Sequence, residues 1–185
     1  MFIQTEDTPN PATMKFLPNR AVMPKGTLDI TDVKAASASP LAQALFALEG
    51  VTGVFLATEF ITVTKAADKQ WQVMKPSILA TIMEHFTHNR AVINDGTIAV
   101  PDTTSNEDDS EVVKQIRELL DMKVRPAVAQ DGGDITFQSF EDGVVYLHLK
   151  GSCAGCPSST ATLKAGIENM LKHYIPEVRE VRQMR

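Results

Sequence analysis

The chain has 185 residues, 43% of them hydrophobic and 22% charged, which is typical of a globular protein with one mid-sized domain or two small ones. No apolar run approaches the roughly 18 residues needed to cross a bilayer, so no membrane-spanning segment is expected. The net charge of -5 argues against a nucleic-acid partner, which would favour a basic surface.

The first residues, 1–7, have neither a basic stretch followed by an apolar one nor an Arg-rich amphipathic pattern. They therefore resemble neither a signal nor a transit peptide, and the chain is expected to act where it is made or to be a mature form. Only two cysteines occur, and they stand three positions apart. A disulfide-stapled secreted domain would need more of them, so a reducing compartment and a metal or redox role are favoured.

The stretch 1–99 predicts a small α+β domain with a largely antiparallel sheet. Two short strands are expected at 2–6 and 13–17. Between them, residues 8–11 contain two prolines and predict a rigid turn, with a partner-docking surface as the alternative.

The next elements of this domain are a helix and a hairpin. Ser39 can cap a helix and Pro40 is tolerated in its first turn, so the helix is expected to begin there. Gly50 is placed to end it. Two alternating segments within 54–64 predict the hairpin.

A second helix is expected over 71–86, where a stripe of large apolar side chains that includes Met83 predicts a core-facing side. Pro76 makes the start of this helix ambiguous, because a proline inside a helix removes a hydrogen bond and clashes with the preceding turn. His85 and His88 stand three positions apart and could be metal ligands. A solvated or capping role is favoured for both.

Residues 100–110 are predicted to form an acidic polar linker. From position 101 to position 110 the sequence contains no large apolar residue, so it cannot bury enough surface to offset the entropy of ordering. The linker is therefore expected to be mobile and to join two domains.

The stretch 111–185 predicts a second small α+β domain. It begins with an amphipathic helix that Pro126 should end or kink. Residues 131–134 lack the ligand spacing of a calcium loop and predict a turn. Asp142 and Gly143 then predict a tight hairpin, since both positions tolerate positive φ.

The last part of the chain holds the cysteines, in the segment 151–159 with the sequence GSCAGCPSS. A helix is expected from Pro157, which places Cys156 at or beside its N-cap. There, unpaired N–H groups and the helix dipole would favour a thiolate. The hydroxyls that follow, the last of them on Thr160, are expected to accept hydrogen bonds from backbone donors. A short strand is expected at 178–183.

Three uses of Cys153 and Cys156 are possible: two buried structural thiols, a dithiol oxidoreductase or a metal site. Two cysteines in a glycine-lined loop at a helix start are badly placed to fill a core, so the structural role is disfavoured. A Cys-x-x-Cys pair occurs both in metal sites and in dithiol oxidoreductases. Oxidoreductases are expected to carry the pair after an early strand of a βαβ unit, whereas here a helix and an antiparallel hairpin precede it, so this use is disfavoured. Iron–sulfur clusters and structural zinc both usually take four ligands, and no other Cys or His of this domain has suitable spacing. A second copy of the chain would supply the two missing ligands. Ligand type alone does not decide between iron–sulfur and zinc.

The two stretches resemble a known family. Residues 125–134 and 151–159 closely resemble the NifU-like C-terminal domain of iron–sulfur scaffold proteins, and the first stretch resembles the Nfu N-terminal domain. The residues that carry the second resemblance are 2–5, 8–11, 15–16, 39–42, 50–51 and 60–64. Together the resemblances cover nearly the whole chain outside the linker, in the order in which the family has them.

The resemblance implies a carrier that catalyses no covalent turnover. Cys153 and Cys156 of two chains would ligate one 4Fe–4S cluster, which is passed to apo iron–sulfur proteins. Upstream cluster-assembly proteins would be further partners, and the loaded form would be a homodimer. The implied setting is the bacterial cytoplasm, or the mitochondrial matrix for a processed eukaryotic form. A redox protein with a Cys153–Cys156 disulfide and a zinc-stapled interaction module are the alternatives.

Overall fold

The structure is a computed structural model that describes residues 2–94, 110–155 and 157–184, without the side chains of 157–159. The chain divides into two compact units; the described part of the first is 2–94, and that of the second is 110–155 and 157–184. Each unit combines helices with a sheet, which confirms two α+β domains. Most of the predicted linker, 100–110, lies outside the described residues, and the predicted domain boundaries stay predictions.

The first unit is a five-stranded antiparallel sheet with two helices. The strand order is β1-β2-β5-β4-β3, and every neighbouring pair is antiparallel. The elements are β1 (Gln4–Asp7), β2 (Thr13–Leu17), β3 (Leu28–Ile30), a 3-10 turn (Ala35–Ala38), α1 (Pro40–Phe46), β4 (Val51–Leu56), β5 (Ile61–Lys65) and α2 (Trp71–Thr87).

Helix α1 begins where the sequence indicates. The Ser39 hydroxyl accepts a hydrogen bond from the Ala42 N–H, and Pro40 occupies the first helical position. The helix ends at Phe46, so the expectation that it continues to Gly50 is wrong. Gly50 instead forms the turn into β4 with a φ of +93°, a conformation that glycine adopts without strain.

Helix α2 contains Pro76 in its second turn and begins at Trp71. One side of it is buried in the core of the unit, as the apolar stripe predicts; the buried apolar residues are Met74, Ile78, Ile82 and Phe86. Met83 is an exception: it is 41% exposed, so the prediction that it faces the core is wrong.

The turn at 8–11 is confirmed, and its polar side chains hold it. The Thr8 hydroxyl donates to the Asn10 carbonyl oxygen over 2.8 Å, and the Asn10 side chain accepts from the Ala12 N–H over 3.0 Å. The Trp71 indole N–H donates to the Pro11 carbonyl oxygen over 3.0 Å, which ties this turn to the start of α2.

The second unit packs helices against a three-stranded sheet of order β6-β7-β8, in which β8 runs parallel to β7. Its elements are α3 (Glu111–Leu119), a π-helical segment (Leu120–Val124), α4 (Arg125–Gln130), β6 (Gly133–Glu141), β7 (Val144–Gly151), α5 (Pro157–Tyr174) and β8 (Glu180–Met184). The predicted hairpin is confirmed: Asp142 and Gly143 join β6 to β7 with φ values of 51° and 81°.

Of the two effects expected of Pro126, an end or a kink of the first helix of this unit, the end is wrong. Helical backbone continues from Glu111 to Gln130 through the π-helical segment, and Pro126 lies in the first turn of α4. In that segment the Arg125 N–H donates to the Leu120 carbonyl, five residues back. The wider turn accommodates the proline, whose ring and missing N–H would disrupt a regular α-helix.

Of the two roles expected for His85, solvated or helix-capping, the solvated one is wrong. The residue is 2% exposed, and its ring lies edge-on against Phe86 with a centroid distance of 5.6 Å. Its Nε2 atom has no hydrogen-bond partner among the described residues. Burial, followed by the nearby positive charge of Arg90, lowers the pKa of His85 below its ordinary value.

The pKa of His85 predicts a pH dependence for the first unit. Unfolding exposes the ring and raises its pKa towards about 6.5, so below that pH the unfolded state binds more protons. Stability is therefore expected to fall as the pH drops below about 6.5. Trp71 is the only tryptophan of the chain, so its fluorescence during urea unfolding reports on this unit.

The matched control is the neighbouring exposed histidine of the same helix end, His88. His85→Leu should show a smaller fall in urea midpoint between neutral and mildly acidic pH, whereas His88→Leu should keep the wild-type fall. An equal fall in all three proteins would show that His85 does not cause the pH dependence of the stability of this unit.

Candidate metal centre

The segment with the two cysteines connects the end of β7 to the start of α5. Strand β7 ends at Gly151 and α5 begins at Pro157. Cys153 lies in the turn between them, where the Ala154 N–H donates to the Gly151 carbonyl oxygen over 3.1 Å. The expected position of Cys156 at the helix N-cap lies outside the described residues.

Cys153 is a free, buried thiol that is 6% exposed. Its sulfur packs against the backbone at the start of β6, where Gly133 has no side chain. A Cβ atom on Gly133 would lie 2.5 Å from the Cys153 Sγ and 2.8 Å from the Lys150 carbonyl oxygen. The absence of a side chain at Gly133 therefore makes room for the thiol.

Hydrogen bonds hold this turn on both sides. The Ser152 N–H donates to the Gly132 carbonyl oxygen over 3.2 Å, and the Ser152 hydroxyl donates to the Asp131 carbonyl oxygen. On the other side, the Thr160 hydroxyl donates to the Cys153 carbonyl oxygen over 3.1 Å. Thr160 thus donates to a backbone carbonyl oxygen, a role that the sequence did not predict; its expected role as an acceptor stays a prediction.

A buried ion pair fixes the start of β6. The Arg125 Nε and Nη2 atoms donate to the two carboxylate oxygens of Asp134 over 2.9 and 3.0 Å, and Asp134 is 4% exposed. A second carboxylate, Asp121, lies 3.4 Å from Nη1. Such a bidentate pair has a fixed geometry, so it orients the strand that carries Gly133.

The pKa of Cys153 is raised to about 12 in the metal-free chain. Burial is the largest cause; the hydrogen bond with Ser152 opposes it, and the negative charges of Asp131 and Asp134 add to it. Cys153 is therefore a neutral thiol near neutral pH. The thiolate expected at the helix start concerns Cys156, which lies outside the described residues.

Comparisons with known proteins identify the family. A family model described as "Scaffold protein Nfu/NifU N terminal" matches residues 3–89, and one described as "NifU-like domain" matches residues 116–182. The human protein named "NFU1 iron-sulfur cluster scaffold homolog, mitochondrial" is 49% identical over 185 residues, which cover all of this chain and 72% of the relative. The chain belongs to the Nfu/NifU-like family of scaffold proteins.

Two further matches have narrower coverage. "NifU-like protein 4, mitochondrial" from Arabidopsis thaliana is 47% identical over 186 residues, which are 99% of this chain and 66% of the relative. The chain thus spans about two thirds of the length of such relatives. A solution NMR structure of a NifU-like protein from Saccharomyces cerevisiae covers 51% of this chain and 86% of its own, at 24% identity and a TM-score of 0.47. A match at that score adds nothing to the assignment.

The sequence of this Nfu/NifU-like chain excludes three other groups of the second unit as metal ligands: the segment 131–134, His148 and His173. The segment 131–134 forms a turn and the start of β6, and its second carboxylate is paired with Arg125. His148 lies within β7, opposite Thr136, while His173 packs on Tyr174. Within the described ranges, no three Cys, His, Asp or Glu residues are grouped as a metal site would require.

Sequence reasoning missed three residues around the thiol: Gly133, Arg125 and Thr160. The neighbouring glycines at 132 and 133 indicate a turn, but only the fold shows that one of them faces a sulfur atom. Arg125 and Asp134 are nine positions apart, so a pairing between them follows from the packing of α4 on β6 and not from local spacing.

The contact with Gly133 can be tested with two Gly→Ala substitutions. In Gly133→Ala the new methyl group would meet the sulfur and two backbone atoms, and such overpacking is expected to destabilise the unit by about 1–3 kcal/mol. In Gly166→Ala, within α5, the methyl group meets nothing within 4 Å. That variant should gain about 0.5–1 kcal/mol from its higher helix propensity.

Urea unfolding followed by circular dichroism measures both free energies. Hydrogen–deuterium exchange over β6 and β7 assigns the change to the second unit. A Gly133→Ala protein as stable as the wild type would mean that the sulfur is not packed where the structure places it.

Proposed function

We propose that two copies of this chain carry one 4Fe–4S cluster as cargo, ligated by Cys153 and Cys156 of each copy, and transfer it to apo iron–sulfur proteins. The proposal rests on the Cys153 thiol, which lies in a hydrogen-bonded turn shortly before the start of α5, in a chain with only two cysteines. The names of the relatives, iron–sulfur cluster scaffold homologues, support the same cargo.

The ligand count supports sharing between two chains. Iron–sulfur clusters are usually held by four cysteine thiolates, and one chain supplies two. The described residues contain no group of Cys, His and carboxylate side chains that would complete the set. A two-fold arrangement, in which each copy contributes the same pair, gives four thiolates with no additional residue type.

Transfer would proceed by ligand exchange, without oxidation or reduction. Each incoming thiolate of an apo-protein forms a bond to iron as one thiolate of the carrier leaves. Helix α5 begins directly after Cys156 in the sequence, and the positive end of its dipole would favour the net negative charge of a four-thiolate cluster. Loading releases protons, because Cys153 is a neutral thiol in the metal-free chain.

The proposed partners are apo iron–sulfur proteins and upstream cluster-assembly proteins, and the loaded form is a homodimer. The carrier exchanges ligands and turns over no small substrate, so it is not an enzyme. Among the described helices, none combines the length and apolar character of a membrane span. Several relatives are named as mitochondrial, which supports the mitochondrial alternative for this chain; the bacterial cytoplasm stays a prediction.

Removal of either cysteine tests the ligand assignment. Cys153→Ser and Cys156→Ser each leave one thiolate per chain, so neither variant should keep a four-iron cluster after anaerobic reconstitution with iron and sulfide. Native mass spectrometry of the full chain is expected to show a dimer with one four-iron, four-sulfide cluster for the wild type only. Serine is close in size to cysteine, so circular dichroism should show folded variants.

Ser37→Ala serves as the control, because the Ser37 hydroxyl bonds the Lys34 carbonyl in the first unit and loading should not change. A full cluster on either cysteine variant would refute the assignment. A colourless wild-type dimer with one zinc would point to a structural zinc site. A metal-free monomer that reduces disulfides would point to a redox protein.

A further inference from the structure

The outer edge of strand β8 carries a backbone N–H group that faces away from the sheet. Strand β8 is last in the order β6-β7-β8 and runs parallel to β7, so its outer side pairs with no strand of the described sheet. Successive residues of a strand point their N–H and C=O groups alternately to one side and to the other. The Glu180 N–H donates to the Gly143 carbonyl oxygen over 3.2 Å, on the β7 side. The N–H and C=O groups of Val181 therefore point to the outer side.

A side chain of α5 occupies this outward N–H group. The Glu168 Oε2 atom accepts a hydrogen bond from the Val181 N–H over 3.0 Å. The other oxygen, Oε1, accepts from the Lys172 Nζ over 2.6 Å, one turn further along the helix. The two bonds orient the Glu168 carboxylate, which covers the strand edge at Val181.

The edge that Glu168 covers is otherwise suited to pairing with another strand. Unpaired N–H and C=O groups along the edge of a sheet form a template for a strand of another chain. The residues that follow Val181 in β8, which are Arg182, Gln183 and Met184, are exposed. Loss of the Glu168 carboxylate would leave the Val181 N–H without its acceptor at this edge.

The sequence of β8 is complementary to itself. If two copies pair antiparallel about a two-fold axis at Val181, the N–H and C=O groups of each Val181 face those of the other, as a hydrogen-bonded pair requires. Glu180 of each copy then lies opposite Arg182 of the other, and opposite charges across a strand pair attract. Within one chain these two side chains already pair over 2.9 Å, so they lie on one face of the strand. The occupant that fits this edge is a second copy of β8.

We propose that the outer edge of β8 is a self-association surface of this chain, and that Glu168 keeps it closed by occupying the Val181 N–H. The inference goes beyond the function proposed above. A carrier that dimerises through its cysteines would have two separate self-complementary surfaces if this edge opened. Two such surfaces on one chain would link dimers into an open polymer, so a closed edge would keep the loaded form at two chains.

Glu168→Ala tests the closure in the full-length, metal-free protein. The substitution removes the acceptor and should keep α5 helical, because alanine has the highest helix propensity. In dilute solution the Val181 amide should exchange with deuterium about five-fold faster than in the wild type, the expected effect of losing one ordinary hydrogen bond. As the protein concentration rises, sedimentation velocity should show a dimer for the variant and a monomer for the wild type.

Two controls separate the edge bond from the surface charge. Glu168→Gln keeps an acceptor oxygen and should behave as the wild type in both measurements. Lys172→Met removes the ion pair but keeps the carboxylate, and should also stay monomeric. Equal association of the wild type and Glu168→Ala, whether absent or strong, would overturn the proposal. Association of both control variants to the level of Glu168→Ala would overturn it too.

A charge reversal tests the register of the pairing. When Arg182→Glu is added to Glu168→Ala, carboxylates lie opposite each other in the paired strands, and the dimer should be lost. Addition of Glu180→Arg as well exchanges the two charges and should restore the dimer. A dimer that persists after Arg182→Glu alone would place the contact elsewhere and overturn the assignment of this edge.

If Glu168→Ala does not fold, Glu168→Asp gives the same test, because its side chain is one methylene group shorter. That variant should show the faster Val181 exchange and the dimer, and wild-type behaviour in both would overturn the proposal. None of these measurements requires a cluster. A wild type that takes up no iron would therefore refute the proposed function and leave the result for the β8 edge unchanged.

Discussion

The close approach of the Cys153 sulfur to the backbone of Gly133 is the contact on which the cysteine site of the second unit depends. It joins the turn after β7 to the start of β6. Strand register places Gly133 opposite Gly151, so the turn after β7 folds back over the start of β6. The Arg125–Asp134 ion pair fixes that start against α4. Any side chain at position 133 would push the turn away, so the position of the thiol depends on a hydrogen atom in place of a methyl group.

A carrier has to protect its cargo ligands when empty and surrender the cargo when a client arrives. A buried neutral thiol meets the first need, because the thiolate is the reactive form and burial raises the pKa of Cys153 to about 12. In the proposed function, sharing the cluster between two chains would meet the second need, since separation of the chains would free two of the four ligand positions.

Local patterns predict most of the fold, and non-local contacts explain the failures. The hairpin at Asp142 and Gly143 and the cap at Ser39 depend on neighbouring residues, and the sequence indicates both. Strand β3 was missed because its three residues are too few for an alternating pattern. The same limit applies to the site, where Cys153 is visible as a motif but its raised pKa depends on burial that only the fold creates.

The central claim is that one cluster is shared by two copies of this chain, and native mass spectrometry of mixed isotopic forms tests it most directly. Equal amounts of unlabelled and ¹⁵N-labelled metal-free chains are mixed and then loaded anaerobically with iron and sulfide. The account predicts light, mixed and heavy dimers, each with one four-iron, four-sulfide cluster, and no iron on monomers. A monomer that carries a complete cluster, or dimers that carry one cluster per chain, would contradict it.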